Sequence, residues 1–155
     1  DPASVHEVVK LIQIEALKDV DVASFPVIIN QRVFRRKLMR PTFLSVGGLV
    51  SSHSVGTVIR RSLHDSIGLY DEDYKILADS YFLRRAYQAG ASFRHFKGPV
   101  MGTFTQAGIS STQHARRIVE AYSYNVACAD SYILQAILLM LRTIKYRPST
   151  FIKDL

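Results

Sequence analysis

Cysteine is nearly absent: Cys128 is the one thiol in 155 residues. That excludes an intrachain disulfide and any Cys-rich zinc site, and its small, apolar neighbours read as those of a buried hydrophobe. Long apolar runs are missing as well. The longest, SYILQAILLMLRTI, is interrupted by Gln135 and Arg142. It falls short of the ~20 residues that span a bilayer, so a buried or interfacial helix is expected. The opening residues, DPASVHEVV, are acidic and polar and carry neither a signal-peptide pattern nor an initiator Met, so the chain is expected to be a piece of a longer protein. There is no glycine-rich phosphate loop, no Ser/His/Asp order and no aromatic nucleic-acid platform, and His53, His64 and His95 have no metal-ligand spacing. Internal repeats and low-complexity tracts are absent too. Acid is in deficit: 20 Lys and Arg against 13 Asp and Glu leave a net charge of +7, which favours anionic partners without choosing among them.

What is present is a globular composition, about half apolar and a fifth charged, of a length that suits one domain. Ser4 and Glu7 fit a capping box, and Val5, Val8, Val9, Ile12 and Ala16 follow at helical spacing. Residues 20–29, VDVASFPVII, are expected to form a strand, with Pro26 marking an edge or a bulge. Residues 32–40 carry five cations and no acid, and read as a solvated basic hairpin or as a docking surface for anionic lipid or polymer. A Ser- and Gly-rich loop is expected over 45–56, a short strand over 57–59, and a short helix over 62–67 closed by Gly68. A helix opening at or near Asp79 and ending at Gly90 would turn Phe82, Leu83 and Ala86 inward. Two short strands near 92–96 and 100–105, a turn at 108–112 and a helical region over 112–145, broken near 128–130, complete an α/β or α+β pattern.

Four carboxylates, Asp71, Glu72, Asp73 and Asp79, crowd a short stretch of this basic chain. Asp79 stands at a helix start, where dipole and amides favour its charged form. Such a group can accept a proton from a hydroxyl; simple N-capping also accounts for it, and simple turn chemistry accounts for Asp71 and Glu72.

Residues 60–93, RRSLHDSIGLYDEDYKILADSYFLRRAYQAGASF, resemble the C-terminal half of family-2 glycosyltransferases of the GT-A fold, of the kind that builds bacterial surface polysaccharides. Arg60-Arg61-Ser62, Gly68-Leu69-Tyr70-Asp71-Glu72, Tyr74-Lys75-Ile76, Ala78-Asp79, Phe82-Leu83 and Arg85-Ala86 stand in the family's order, and Gly108-Ile109-Ser110-Ser111 looks like its later turn. The resemblance implies a partial GT-A fold with a long helical tail. Asp79 would be the catalytic base that deprotonates an acceptor hydroxyl, which attacks a nucleotide sugar with inversion. It further implies that Asp71, Glu72 and His53 serve a saccharide or lipid-linked acceptor. His114, Arg116 and Arg117 would meet the donor's diphosphate, and His114 is also a candidate metal ligand. Mg²⁺ or Mn²⁺ is the implied cofactor, with its main ligands outside this chain, since the family's nucleotide-binding strands and Asp-x-Asp motif are not found in these residues. The implied setting is the cytoplasm, at the inner membrane face. Two other readings stand beside it: a non-catalytic basic module that docks anionic lipid or polymer through Arg35, Arg36 and Lys37, and a phosphohydrolase built on Asp71, Asp73 and Asp79. Residues 131–147 would lie on a membrane or pack on the remainder of the protein.

Overall fold

A computed structural model describes residues 6–7, 9–10, 17–34, 54–104, 112–128 and 131–145. The fold is mixed α/β. In chain order the strands are β1 (Val22–Ser24), β2 (Val27–Ile29), β3 (Arg32–Phe34), β4 (Thr57–Ile59), β5 (Phe93–His95) and β6 (Thr103–Phe104). The helices are α1 (Arg61–Ile67), α2 (Ala78–Gln88), α3 (His114–Ala127) and α4 (Tyr132–Lys145).

The strand expected over 20–29 is in fact two strands in two sheets. β1 is central in the first, antiparallel to β4 and parallel to β5. β2 is central in the second, antiparallel to β3 and parallel to β6. Pro26 stands at the break because it has no amide to give a ladder. Its carbonyl still accepts from Met101 N at 2.9 Å, and Phe25 N donates to the Gly56 carbonyl at 2.8 Å, so the chain changes sheets without orphaning these backbone groups. β2 and β3 are joined by Asn30 and Gln31, both at positive φ (49° and 64°), the geometry that suits a two-residue hairpin.

Alternation along β1 covers both faces of the first sheet. Val22 packs with Leu63, Phe82, Leu83 and Ala86 beneath α1 and α2. Ala23 packs on the other side with Leu17, Val20 and Phe25, and Phe25 stacks on Phe96 at 5.0 Å. Phe82, Leu83 and Ala86 are therefore buried as the sequence implies. A third cluster, Leu77, Ala121, Tyr124 and Cys128, joins the start of α2 to α3, and Cys128 is the buried hydrophobe expected of it.

At the N-terminal side His6, Glu7, Val9 and Lys10 are helical and exposed, while Ser4 and the remaining apolar positions of that pattern lie outside the described residues. The expected strands near 92–96 and 100–105 are shorter than their patterns, and the turn at 108–111 is likewise outside the described residues. The break between α3 and α4 falls where the sequence puts it. Arg60, first of the Arg-Arg-Ser run, has a structural task. Its guanidinium donates toward the carbonyls of Leu17 at 2.7 Å, Val20 at 3.0 Å and Lys18, and pairs with Asp21 at 3.4 Å.

Candidate functional site

The site is built around the turn from Gly68 to Leu77 and the first turn of α2. Gly68, at φ 84°, ends α1 with its amide on the His64 carbonyl at 3.0 Å and sends the chain outward. Asp71 Oδ1 accepts from Asp73 N at 3.0 Å, a local carboxylate-to-backbone turn. Leu77 occupies the N-cap position, so Asp79 is a first-turn residue of α2 and not its cap. One carboxylate oxygen is held: Oδ1 accepts from Ser80 N at 2.7 Å and from Ser80 Oγ at 3.3 Å. Oδ2 makes no hydrogen bond among the described residues, and it is the atom left to accept a proton.

An aromatic wall stands beside this carboxylate. Tyr70 packs on Phe82 at 4.9 Å, and His64 stacks on the same ring at 4.5 Å. Burial, and secondarily the Asp79 charge, raise the Tyr70 phenol above its ordinary range, which keeps it a neutral hydroxyl donor. Arg85 lies over Tyr81 and Phe82, at 5.1 and 5.8 Å, and donates to the Leu69 carbonyl at 2.6 Å. His64 Nδ1 and Arg85 Nε are buried without a hydrogen-bond partner. Aromatic faces, a carboxylate and unsatisfied polar atoms in one neighbourhood suit a ligand with both apolar faces and hydroxyls.

The residue that fixes the turn is Glu120 of α3, which sequence reasoning missed. The residue is 7% exposed, and its carboxylate accepts from three successive backbone amides: Lys75 N at 3.0 Å, Ile76 N at 2.8 Å and Leu77 N at 2.9 Å. Arg116 Nε completes the set at 3.0 Å, four residues back on the helix. The turn before α2 is thus held by Glu120 and not by Asp71 or Glu72. Asp71 closes its own short turn, and Glu72 is exposed with no hydrogen bond among the described residues. Glu120 is the one acid in α3, and only that isolation marks it in the sequence. Tyr74 sits in the same turn against Tyr81 at 4.7 Å, its phenol pushed up to about 12, mainly by burial and next by Tyr81.

The other candidates divide. His114 opens α3 as expected, and Arg116 and Arg117 fall in its first turn. Arg116 is committed to Glu120, so it holds the turn and is not a freestanding anion ligand. Its chain neighbour Arg117 is half-buried. His53 lies outside the described residues. Among the described residues no three His, Cys, Asp or Glu side chains are grouped to hold a metal ion, and His114 has no such companions. A cavity of about 370 Å³ is lined by Glu7, Lys10, Gly98 and Pro99 and does not include Asp79. The site therefore rests on the Asp79 neighbourhood, where the chemistry converges. Among the described residues no helix is long and apolar enough to cross a membrane.

Behind the site runs a buried polar chain. Arg84 of α2 donates to Asn125 Oδ1 at 2.8 Å, and Asn125 Nδ2 donates to Gln135 Oε1 of α4 at 3.3 Å. It ties the site helix to the hairpin of α3 and α4. Compared with family models, curated proteins and solved structures, the chain matches none of them.

Proposed function

We propose that this chain is the acceptor side of an inverting glycosyltransferase and that Asp79 is its base. The observation that carries the reading is the Asp79 carboxylate itself, with Oδ1 held by Ser80 and Oδ2 uncommitted beside the Tyr70–Phe82–His64 wall. Asp79 Oδ2 takes the proton of an acceptor hydroxyl. The hydroxyl oxygen bonds to the anomeric carbon of a nucleotide sugar, and the bond to the diphosphate oxygen breaks on the opposite face, its electron pair leaving with the nucleoside diphosphate. The aromatic wall receives the acceptor, saccharide or lipid-linked, and Glu120 keeps the turn before α2 in register with it. Arg117 and His114, at the start of α3, are the side chains that would serve the diphosphate. The described residues do not fit a Mg²⁺ or Mn²⁺ site, so no step runs through one; its ligands, like the nucleotide-binding strands, belong outside these residues. The proposed setting is the cytoplasm, at a membrane face.

The test is transfer by the natural protein that contains this chain, followed as release of nucleoside diphosphate from a panel of nucleotide sugars. Asp79→Asn is expected to lower turnover by about a thousandfold with folding unchanged, the scale of a lost general base. Full turnover by Asp79→Asn would remove Asp79 from the chemistry.

A second reading, a non-catalytic basic module, has one observation in its favour: all three residues of β3 are partly open to solvent, Val33 at 45% and Phe34 at 36%, at the head of the basic run. It expects function to fail with Arg35, Arg36 and Lys37 replaced and to survive Asp79→Asn.

A further inference from the structure

Tyr70 is the one member of the aromatic wall that carries a hydroxyl. Its ring is fixed by two contacts, on Phe82 at 4.9 Å and against His64 at 5.5 Å. The backbone before it is fixed as well: Gly68 turns the chain at φ 84°, and Arg85 donates to the Leu69 carbonyl at 2.6 Å. Yet the residue is 44% exposed, and its hydroxyl makes no hydrogen bond among the described residues. A tyrosine held at its ring and open at its hydroxyl is a preorganised donor.

That donor stands beside the base. Asp79 and Phe82 are three residues apart on α2 and so share a face, and a helical side chain leans back over the turn before it. The ring on which Tyr70 packs is therefore on the Asp79 side of the helix. The phenol also feels that carboxylate: burial first, and the Asp79 charge second, raise its pKa, so it keeps its proton at neutral pH. With Oδ1 of Asp79 held by Ser80 N at 2.7 Å, Oδ2 is an acceptor with no hydrogen bond among the described residues. An open donor next to an open acceptor matches two oxygens of one ligand, one that gives a proton and one that receives a hydrogen bond.

We propose that Tyr70 is a specificity-determining residue whose hydroxyl donates to the acceptor oxygen on the carbon next to the attacking hydroxyl, so that the acceptor presents two adjacent oxygens of a saccharide ring. The proposal rests on the role of Asp79 as base. The attacking oxygen is the poorer partner for Tyr70, because a hydrogen bond to it would draw density from the atom that must reach the anomeric carbon. The neighbouring oxygen takes no part in the bonds that change: the attacking hydroxyl passes its proton to Asp79 Oδ2, and Tyr70 keeps its own. A lone hydroxyl on a flexible lipid chain holds no second oxygen at a fixed place, so this pair of groups selects the sugar end of the acceptor.

Tyr70→Phe keeps the ring and removes only the hydroxyl. Transfer by the natural protein that contains this chain is measured with methyl pyranosides as acceptors and with their monodeoxy analogues. Tyr70→Phe is expected to lower kcat/KM for the acceptor about tenfold, the scale of one hydrogen bond, with KM for the nucleotide sugar and the urea midpoint unchanged. On the analogue that lacks the neighbouring oxygen, the parent and Tyr70→Phe should be equal, whereas a merely structural loss would appear with both acceptors. Tyr87→Phe, late in α2 against Phe93 at 6.1 Å, should transfer as the parent does. The juxtaposition is read without transfer by NMR titration of the tyrosine ring carbons, where Asp79→Asn should lower the Tyr70 pKa. An unmoved Tyr70 titration would overturn the proposal. Unchanged kcat/KM in Tyr70→Phe, with Asp79→Asn inactive, would overturn it and leave the base in place; full transfer by Asp79→Asn would remove the base and the proposal together.

Discussion

α2 and α4 carry the same helical period and turn it in opposite directions. α2 sends Phe82, Leu83 and Ala86 into the core and leaves Tyr87 outside. α4 sends Gln135 inward and leaves Ile133, Ile137, Met140 and Ile144 outside. The difference follows from what each helix faces. α2 lies over the apolar side of β1, where Val22 waits with Leu63. α4 faces Asn125, a fully buried amide that needs hydrogen-bond partners and finds one in Gln135. Once a buried polar group claims the inner face, the apolar stripe has no place but the outer one.

The largest effect should separate the two helices directly. Phe82→Ala empties a fully buried site that touches His64, Tyr70 and Arg85, and should cost about 4 kcal/mol in urea unfolding. Ile137→Ser, on the exposed stripe, should stay within about 0.5 kcal/mol. Equal costs would mean that α4 is covered within the chain, and the contrast would fail.

Glu120→Ala should come next, at about 3 kcal/mol, because it strands three backbone amides and Arg116. Amide exchange at Lys75, Ile76 and Leu77 should quicken more than elsewhere in the chain. If the stability loss appears without that local signature, Glu120 is not what pins the turn.

The smallest effect is on pH. Burial holds the His95 imidazole below its ordinary value, so the folded state disfavours its charged form. That penalty is absent above about pH 6.5 and grows as pH falls toward the folded value. Asp21 is held low by its backbone bond from Ser92, with further help from the Ser92 hydroxyl and Arg60 against burial. Its contribution is present above about pH 3.9 and is lost as pH falls through the folded value. Acid titration of stability should therefore fall in two steps. His95→Gln should remove the upper and Asp21→Asn the lower; a single step unaffected by either would count against both assignments.

Much of the local structure was legible in the residues. Thr57–Ile59 reads as a strand and is one, Gly68 ends a short helix at positive φ, and the break near Cys128 divides α3 from α4. The site was legible only in part. Asp79 is conspicuous as an acid at a helix start in a basic chain, whereas Glu120 is 41 residues away in sequence and looks like half of an ordinary Arg–Glu helix pair. Nothing in its neighbourhood announces the Lys75–Leu77 amides. The same holds for Arg60, whose position after a strand gives no sign that three carbonyls around Leu17–Val20 need a donor.

The sequence alone determined the periods, the turns and the excess of cations, because each depends on residues near one another in the chain. Only the tertiary structure decided that 20–29 divides between two sheets and that Glu120 holds the turn before Asp79. It also decided that α4 wears its apolar side outward. Each of those outcomes depends on a hydrogen-bonding group whose partner is distant in sequence: the ladders on either side of Pro26, the Lys75–Leu77 amides, and the buried amide of Asn125.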